Sequence, residues 1–104
     1  MASVQVNPGI CGLESSMEAI LGDDGMCLVK GESACPHVRE LLVALGPVDP
    51  FGEISYRMGV PRVLAVAQET LPHPACPVPC ALLKAIEVAS GLALPADVSV
   101  VVSP

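Results

Sequence analysis

The chain has 104 residues, a formal net charge of −6 and only two aromatic residues, Phe51 and Tyr56. Its five Lys and Arg residues are spread along the sequence, and base stacking would find almost no aromatic surface, so we expect no nucleic-acid partner. No apolar run reaches the roughly 20 residues of a membrane span, and the first residues lack the features of a secretory signal. We therefore expect a cytoplasmic protein without a membrane partner, folded as a single domain over residues 1–104 around an aliphatic core.

The first elements in chain order are predicted from their periodicity. The alternating segment "SVQV" (3–6) predicts a strand, ended by "NPG". The segment "CGLESSMEAILG" (11–22) predicts a short helix, because a helix would place four apolar residues on one side: Leu13, Met17, Ile20 and Leu21. After a "DDG" turn, the apolar run "MCLVK" (26–30) predicts a second strand.

The second half of the chain carries stronger helix signals. Residues 32–47 predict a helix with Ser33 as its N-cap, Pro36 in its first turn and Gly46-Pro47 as its stop. Its apolar stripe has the helical spacing i, i+3, i+4, i+7 and consists of Val38, Leu41, Leu42 and Leu45. The segment "VDPFGEIS" predicts a loop or one helical turn.

Two further helices and a last strand complete the prediction. Pro61 is expected to open a helix over 61–71, although the valine content of this segment is also compatible with a strand. Residues 80–91 give the clearest helix pattern, with Leu82, Leu83, Ile86 and Ala89 inward. The valine-rich segment "DVSVVVS" (97–103) predicts a third strand. The predicted fold class is a small two-layer α/β domain of order β-α-β-α-(α)-α-β, with about three strands and three to four helices.

The cysteines fall at particular places in this predicted order. Cys11 immediately precedes the first predicted helix, Cys35 lies in the first turn of the second, and Cys76 and Cys80 straddle the start of the last. Helix N-termini carry unpaired N–H donors and partial positive charge, which favour the thiolate, the form that binds metal. We expect these four sulfurs to converge on one site. Cys27 lies in the middle of a strand and is expected to fill the core.

The spacing of the four cysteines bears on which metal they bind. C-x23-C-x40-C-x3-C lacks the paired C-x2-C knuckles of most zinc sites, although zinc stays an alternative. Cys-Pro steps at 35–36 and 76–77 are compatible with an iron–sulfur site. His37 and His73 lie close to these cysteines in sequence, so whether Cys80 or a histidine supplies the fourth ligand stays open.

Three stretches of this sequence resemble a known family. "NPGICG", "ESACPHV" and "HPACPVPCALLKAIEVASGLALPADVSV" are similar to a family of short proteins of anaerobic bacteria and archaea that is catalogued as a domain of unknown function. The resemblance spans nearly the whole chain and singles out Cys11, Cys35 and Cys76. It implies a reducing setting, which favours an oxygen-sensitive cluster over a disulfide.

The leading hypothesis from the sequence is a small iron–sulfur protein, of the 4Fe–4S type, ligated by Cys11, Cys35, Cys76 and Cys80 and serving electron transfer or an accessory role. A redox protein or a second copy of the chain is the expected partner. The alternatives are a structural zinc site, a thiol–disulfide protein that uses Cys76 and Cys80, and a partner-binding module whose cysteines are core. No hydrolase or phosphate-loop signature is present, and the sequence leaves open whether the protein is an enzyme.

Overall fold

The computed structural model describes residues 1–104, which form three strands, four α-helices and one 3₁₀ turn. In chain order the elements are β1 (Ala2–Val6), β2 (Ser15–Leu21), β3 (Cys27–Ser33), α1 (Pro36–Leu45), α2 (Pro50–Glu53), the 3₁₀ turn (Tyr56–Met58), α3 (Arg62–Thr70) and α4 (Val78–Ala89). The predicted fold class, a small α/β domain with three strands and three to four helices, is confirmed.

The three strands form one antiparallel sheet in the order β1-β2-β3. Residues that point to one face are buried or half-buried, among them Val4, Met17, Ala19 and Val29, whereas their neighbours Gln5, Ser16 and Lys30 on the other face are exposed. This alternation is what a sheet with one solvated face requires. The helices cover the buried face.

The predicted helix over residues 11–22 is wrong, because residues 15–21 form the central strand β2. Met17 and Ala19 alternate with Ser16, Glu18 and Ile20, so the segment also carries the period of two that a half-buried strand needs. The neighbouring strands decide between the two periods: Val4 pairs with Met17 on one side, and Gly31 pairs with it on the other. Tertiary pairing therefore overrides the helix-forming composition of this segment.

Helix α1 follows β3 closely and packs against it. Val38, Leu41 and Leu45 of the predicted stripe are buried and Leu42 is half-buried, which confirms the inward face of this helix. The sequence predicted Ser33 as the N-cap residue, but the N-cap of α1 is Cys35. After α1, Val48 returns to pair with Cys27 at the start of β3, so α1 runs antiparallel to that strand.

Helix α3 is fixed to the end of α1. The Arg62 guanidinium at the start of α3 donates hydrogen bonds to the carbonyl oxygens of Leu45 (2.7 Å) and Ala44 (3.3 Å), the last residues of α1. These carbonyls have no partners within their own helix, and a positive charge suits that end. Helices α1 and α3 also pack against each other.

Helix α4 packs against β1 and β2 and contacts α2 and α3. Leu82 and Ile86 are buried as predicted, and Leu83 and Ala89 are half-buried. The core is aliphatic apart from the Met17 and Cys27 side chains, and its most deeply buried members also include Leu41, Leu45, Val48, Val63 and Val78. None of the helices is both long enough and apolar enough to cross a membrane.

The predicted third strand over residues 97–103 is wrong as well. Residues 94–104 are exposed and have no regular secondary structure, and none of residues 93–104 makes a hydrogen bond. The valine-rich pattern is that of a strand, but a strand needs a neighbour to pair with its N–H and C=O groups. No neighbouring strand lies beside this segment in the single chain.

Candidate metal centre

One end of the sheet is built where β1 ends, β2 begins and β3 ends. The pairing register places Val6 beside Ser15 and Ser15 beside Ser33. The connection of residues 7–14, which carries Cys11, therefore leaves the sheet at the same end as Ala34 and Cys35. A hydrogen bond from the Ala34 N–H to the Glu14 carbonyl (3.0 Å) joins the two connections. We call this region the cysteine end.

Cys11 lies in a tight turn of the β1–β2 connection. The Gly12 N–H donates to the Gly9 carbonyl (3.0 Å), so Ile10 and Cys11 occupy the two central positions of a β-turn and both are exposed. Both glycines have positive φ, 90° at Gly9 and 67° at Gly12, which glycine adopts without steric cost. The expectation that Cys11 stands at a helix N-terminus is wrong, since the residues after it form strand β2.

Cys35 is the N-cap of α1 and is half-buried. Its own N–H donates to the Ser33 hydroxyl (3.0 Å), which in turn lies 2.8 Å from the Ser15 hydroxyl. No side chain caps α1, and no acidic residue lies in its first turn. The first turn of α1 therefore leaves N–H groups without a side-chain partner next to the Cys35 residue, and no carboxylate of that turn competes for them.

Cys76 and Cys80 flank the first residues of α4, as the sequence predicted. Cys76 precedes the N-cap Pro77, is half-buried and packs against the core, whereas Cys80 lies in the first helical turn and is exposed. The Cys76 N–H donates to the His73 carbonyl (3.2 Å) within the proline-rich connection. Helix α4, like α1, has neither a side-chain cap nor an acidic residue in its first turn.

The start of α4 is linked to α1 through α3. Helix α1 leads away from the cysteine end, and α3 begins at the far end of α1, where Arg62 contacts it, and packs against α1. Helix α4 packs against β1 and β2 and also contacts α2 and α3. Cys11 and Cys35 thus lie on two connections at the cysteine end, and Cys76 and Cys80 flank the start of the helix that covers β1 and β2.

The four thiols do not form a ready-made ligand set. No group of three or more His, Cys, Asp or Glu side chains is arranged to hold a metal ion. All five cysteines are free thiols. His37 and His73, the alternative fourth ligands, are both exposed near the same connections.

Cys27 is chemically different from the other four cysteines. Its side chain is completely buried at the start of β3, and burial raises the pKa of its thiol above the ordinary value of 9.0. A raised pKa disfavours the thiolate, so Cys27 is poorly suited to bind metal or attack an electrophile. The expectation that it fills the core is confirmed.

The serine pair at this end was not singled out by the sequence. Ser15 is buried and bonded to Ser33, and an open groove beside them is lined mainly by polar residues, including Asn7, Glu14 and Glu32. Only the pairing of β2 with β3 brings the two serines together across 18 positions of sequence. A correct strand prediction for residues 15–21 could have placed Ser15 opposite Ser33.

The fold and the cysteine end define a small α/β domain with four free thiols outside its core, two of them on connections at one end of the sheet. The chain belongs to DUF6951, a family of unknown function, whose model matches residues 2–102. Comparison with the curated proteins and with the solved structures gives no match. Membership in an uncharacterised family, expected from the sequence, is thereby confirmed. The origin of that family in anaerobic bacteria and archaea stays a prediction.

Proposed function

We propose that this domain binds an iron–sulfur cluster at the cysteine end, through Cys11, Cys35, Cys76 and Cys80, and serves electron transfer or a cluster-dependent accessory role in the cytoplasm. The observation that carries the proposal is that Cys11 and Cys35 are free thiols on two connections at one end of the sheet, joined by the Ala34–Glu14 hydrogen bond, while free Cys76 and Cys80 flank the start of α4. Cysteine thiolates are the usual ligands of such clusters, which accept and release single electrons when bound.

The electrostatics of the cysteine end support an anionic site. Cys35 begins α1, Cys76 and Cys80 flank the start of α4, and neither helix has an acidic residue in its first turn. The unpaired N–H groups and the positive helix ends stabilise negative charge there. Thiolates bound to iron carry that charge, so both helices favour the ligated form.

Binding requires the thiols to approach one another, since they form no ligand set without metal. The Cys11 turn is the part that can move at least cost. Residues 9–14 are exposed, and their hydrogen bonds are confined to the turn itself, to Asn7 and to the Glu14–Ala34 contact. Metal binding is therefore expected to order this connection against the two helix ends, as folding and metal binding are commonly coupled.

The test is metal and sulfide analysis of the full chain, isolated and reconstituted without oxygen. We expect a brown protein with sulfur-to-iron charge-transfer absorption in the visible and equal amounts of iron and sulfide. Cys→Ser changes at positions 11, 35 and 76 should each abolish most of the bound iron. The matched control is Cys27→Ala, which removes the buried thiol and should leave the iron content unchanged.

Other outcomes identify the alternative functions. Stoichiometric zinc without sulfide, lost in the same serine variants, would replace the cluster by a structural zinc site. A reversible Cys76–Cys80 disulfide with a measurable potential would make the domain a thiol–disulfide protein. A colourless protein that stays free of metal after reconstitution would favour the remaining alternative, a partner-binding module.

A further inference from the structure

The segment of residues 97–103 has the composition of a strand and no partner. Val98, Val100 and Val102 alternate with Ser99, Val101 and Ser103, and the exposed fraction of the Val100 side chain is 82%. The segment makes no hydrogen bond and pairs with no edge of the sheet. A run of β-branched residues with free backbone N–H and C=O groups is suited to add as a strand to a sheet edge.

The sheet has a free edge that matches this strand. β1 pairs only with β2, so its outer N–H and C=O groups have no partner in the chain. Its sequence, "ASVQV", contains no charged residue and no proline, the usual devices that prevent edge pairing. The other edge, β3, carries Lys30 and Glu32 and is pinned at Cys27 by Val48.

We infer that residues 97–103 of one copy add as a strand to β1 of a second copy, so that the chain forms a strand-exchanged homodimer. Adding a strand to an exposed edge supplies main-chain hydrogen bonds, and alternate side chains reach the face below. In antiparallel or parallel pairing, alternate residues of the segment, such as Val98, Val100 and Val102, can point to the same face of the sheet as the half-buried Val4. That face packs against α4.

The lengths and the symmetry fit this arrangement. Seven extended residues span about 23 Å, enough to cover the five residues of β1, which span about 16 Å. If each copy donates its segment and accepts the other, both free β1 edges are paired and assembly stops at two chains. The exchange does not involve the cysteine end, so it stands whether or not the domain binds a cluster.

The test measures the mass of the full chain in solution by light scattering across a dilution series, with reductant present to exclude disulfide-linked dimers. We expect a dimer of twice 10.6 kDa. Val100→Lys in the segment, and the double change Ser3→Lys with Gln5→Lys on the edge, should each weaken dimerisation about tenfold or more, because lysine disfavours edge pairing. Removing residues 95–104 should leave a folded monomer.

Two matched controls separate this interface from general effects of charge. Val43→Lys replaces an equally exposed valine, 86% accessible on α1, and Ser16→Lys adds a charge to the solvated face of the central strand. Both should leave the dimer intact. In a mixture of isotope-labelled and unlabelled chains, intermolecular NMR contacts should join β1 to residues 98–102.

Three outcomes would overturn the inference. The first is a full chain that stays monomeric at every concentration. This outcome includes a monomer in which residues 97–103 pair with β1 of the same chain, which protection of the segment's amides from hydrogen exchange would reveal. The second is a dimer that persists after residues 95–104 are removed. The third is a dimer in which the labelled mixture places another surface at the interface.

Discussion

The Glu53 carboxylate caps helix α3 from another helix and accepts the N–H group of Val63 at 2.8 Å. Its second oxygen accepts the Arg62 N–H, also at 2.8 Å, and the side chain is only 5% exposed. One buried side chain at the end of α2 thus satisfies two of the donors that every helix N-terminus leaves free. The N-cap residue itself, Pro61, has no side-chain acceptor, so Glu53 takes over the capping role. Its two hydrogen bonds join α2 to α3.

Replacement of Glu53 by Ala should be among the most destabilising single changes in the helical layer. Two charge-assisted hydrogen bonds are lost and two N–H groups are left without partners, so we expect the free energy of unfolding to fall by about 3 kcal/mol. Glu53→Gln keeps one acceptor and should cost about 1 kcal/mol. Urea denaturation followed by circular dichroism measures both. Glu69→Gln, an exposed position on α3 without a hydrogen bond, is the control and should change little.

Gly31 should tolerate no side chain. A Cβ at this position would collide with the Ser16 carbonyl oxygen and would lie 2.7 Å from the Met17 Cα, and these backbone atoms cannot move without breaking the β2–β3 pairing. We expect Gly31→Ala to lower the free energy of unfolding by about 2–3 kcal/mol. Gly52→Ala is the matched change, since its Cβ meets nothing within 4 Å. If thermal unfolding places the two variants at equal stability, the close approach of β3 to β2 is contradicted.

The burial of Cys27 has a consequence for stability at alkaline pH. Because the pKa of its thiol is raised in the folded protein, only the unfolded chain releases this proton just above the ordinary value of 9.0. The unfolded state then binds fewer protons than the folded state, so stability falls as the pH rises past about 9. This contribution is fully present below that pH, and the Cys27→Ala variant should lack it.

Urea titrations of the natural chain and of Cys27→Ala between neutral and alkaline pH check this difference. The natural chain should lose more stability than the variant across the window, even though the variant is less stable throughout because of its cavity. Thiol alkylation offers an independent readout, in which Cys27 reacts only after the four other thiols. Equal alkaline losses in the two proteins would show that Cys27 does not titrate differently on unfolding.

The glycine turn around Cys11 can be tested apart from its sulfur. Gly12→Ala strains a residue with a φ of 67° and should cost about 1 kcal/mol of stability and lower the iron bound on reconstitution. Gly25→Ala strains the β2–β3 turn at the opposite end of the sheet, where φ is 82°. It should cost a similar amount of stability and leave iron binding unchanged. Equal iron content in the two variants would mean that the Cys11 turn takes no part in the site.

The helix starts of the candidate site could be predicted because prolines and apolar stripes in the sequence mark where these helices begin. Pro36 and the stripe from Val38 to Leu45 locate α1, so Cys35 could be placed at its start from sequence alone. The prolines around Cys76 likewise locate the start of α4. The position of Cys11 was predicted for the wrong reason, since it lies in a hairpin turn whose place depends on β1, β2 and β3 pairing in register.

The amino-acid sequence by itself determined the elements that satisfy their backbone locally: helices α1, α3 and α4, the "DDG" turn and the buried Cys27. Tertiary structure alone decided the elements that need a distant neighbour. Residues 15–21 became a strand because β1 and β3 flank them, and residues 97–103 stayed unpaired because no edge lies beside them in one chain. A helix bonds to itself, whereas a strand exists only with a partner, and a periodic pattern does not say where that partner is.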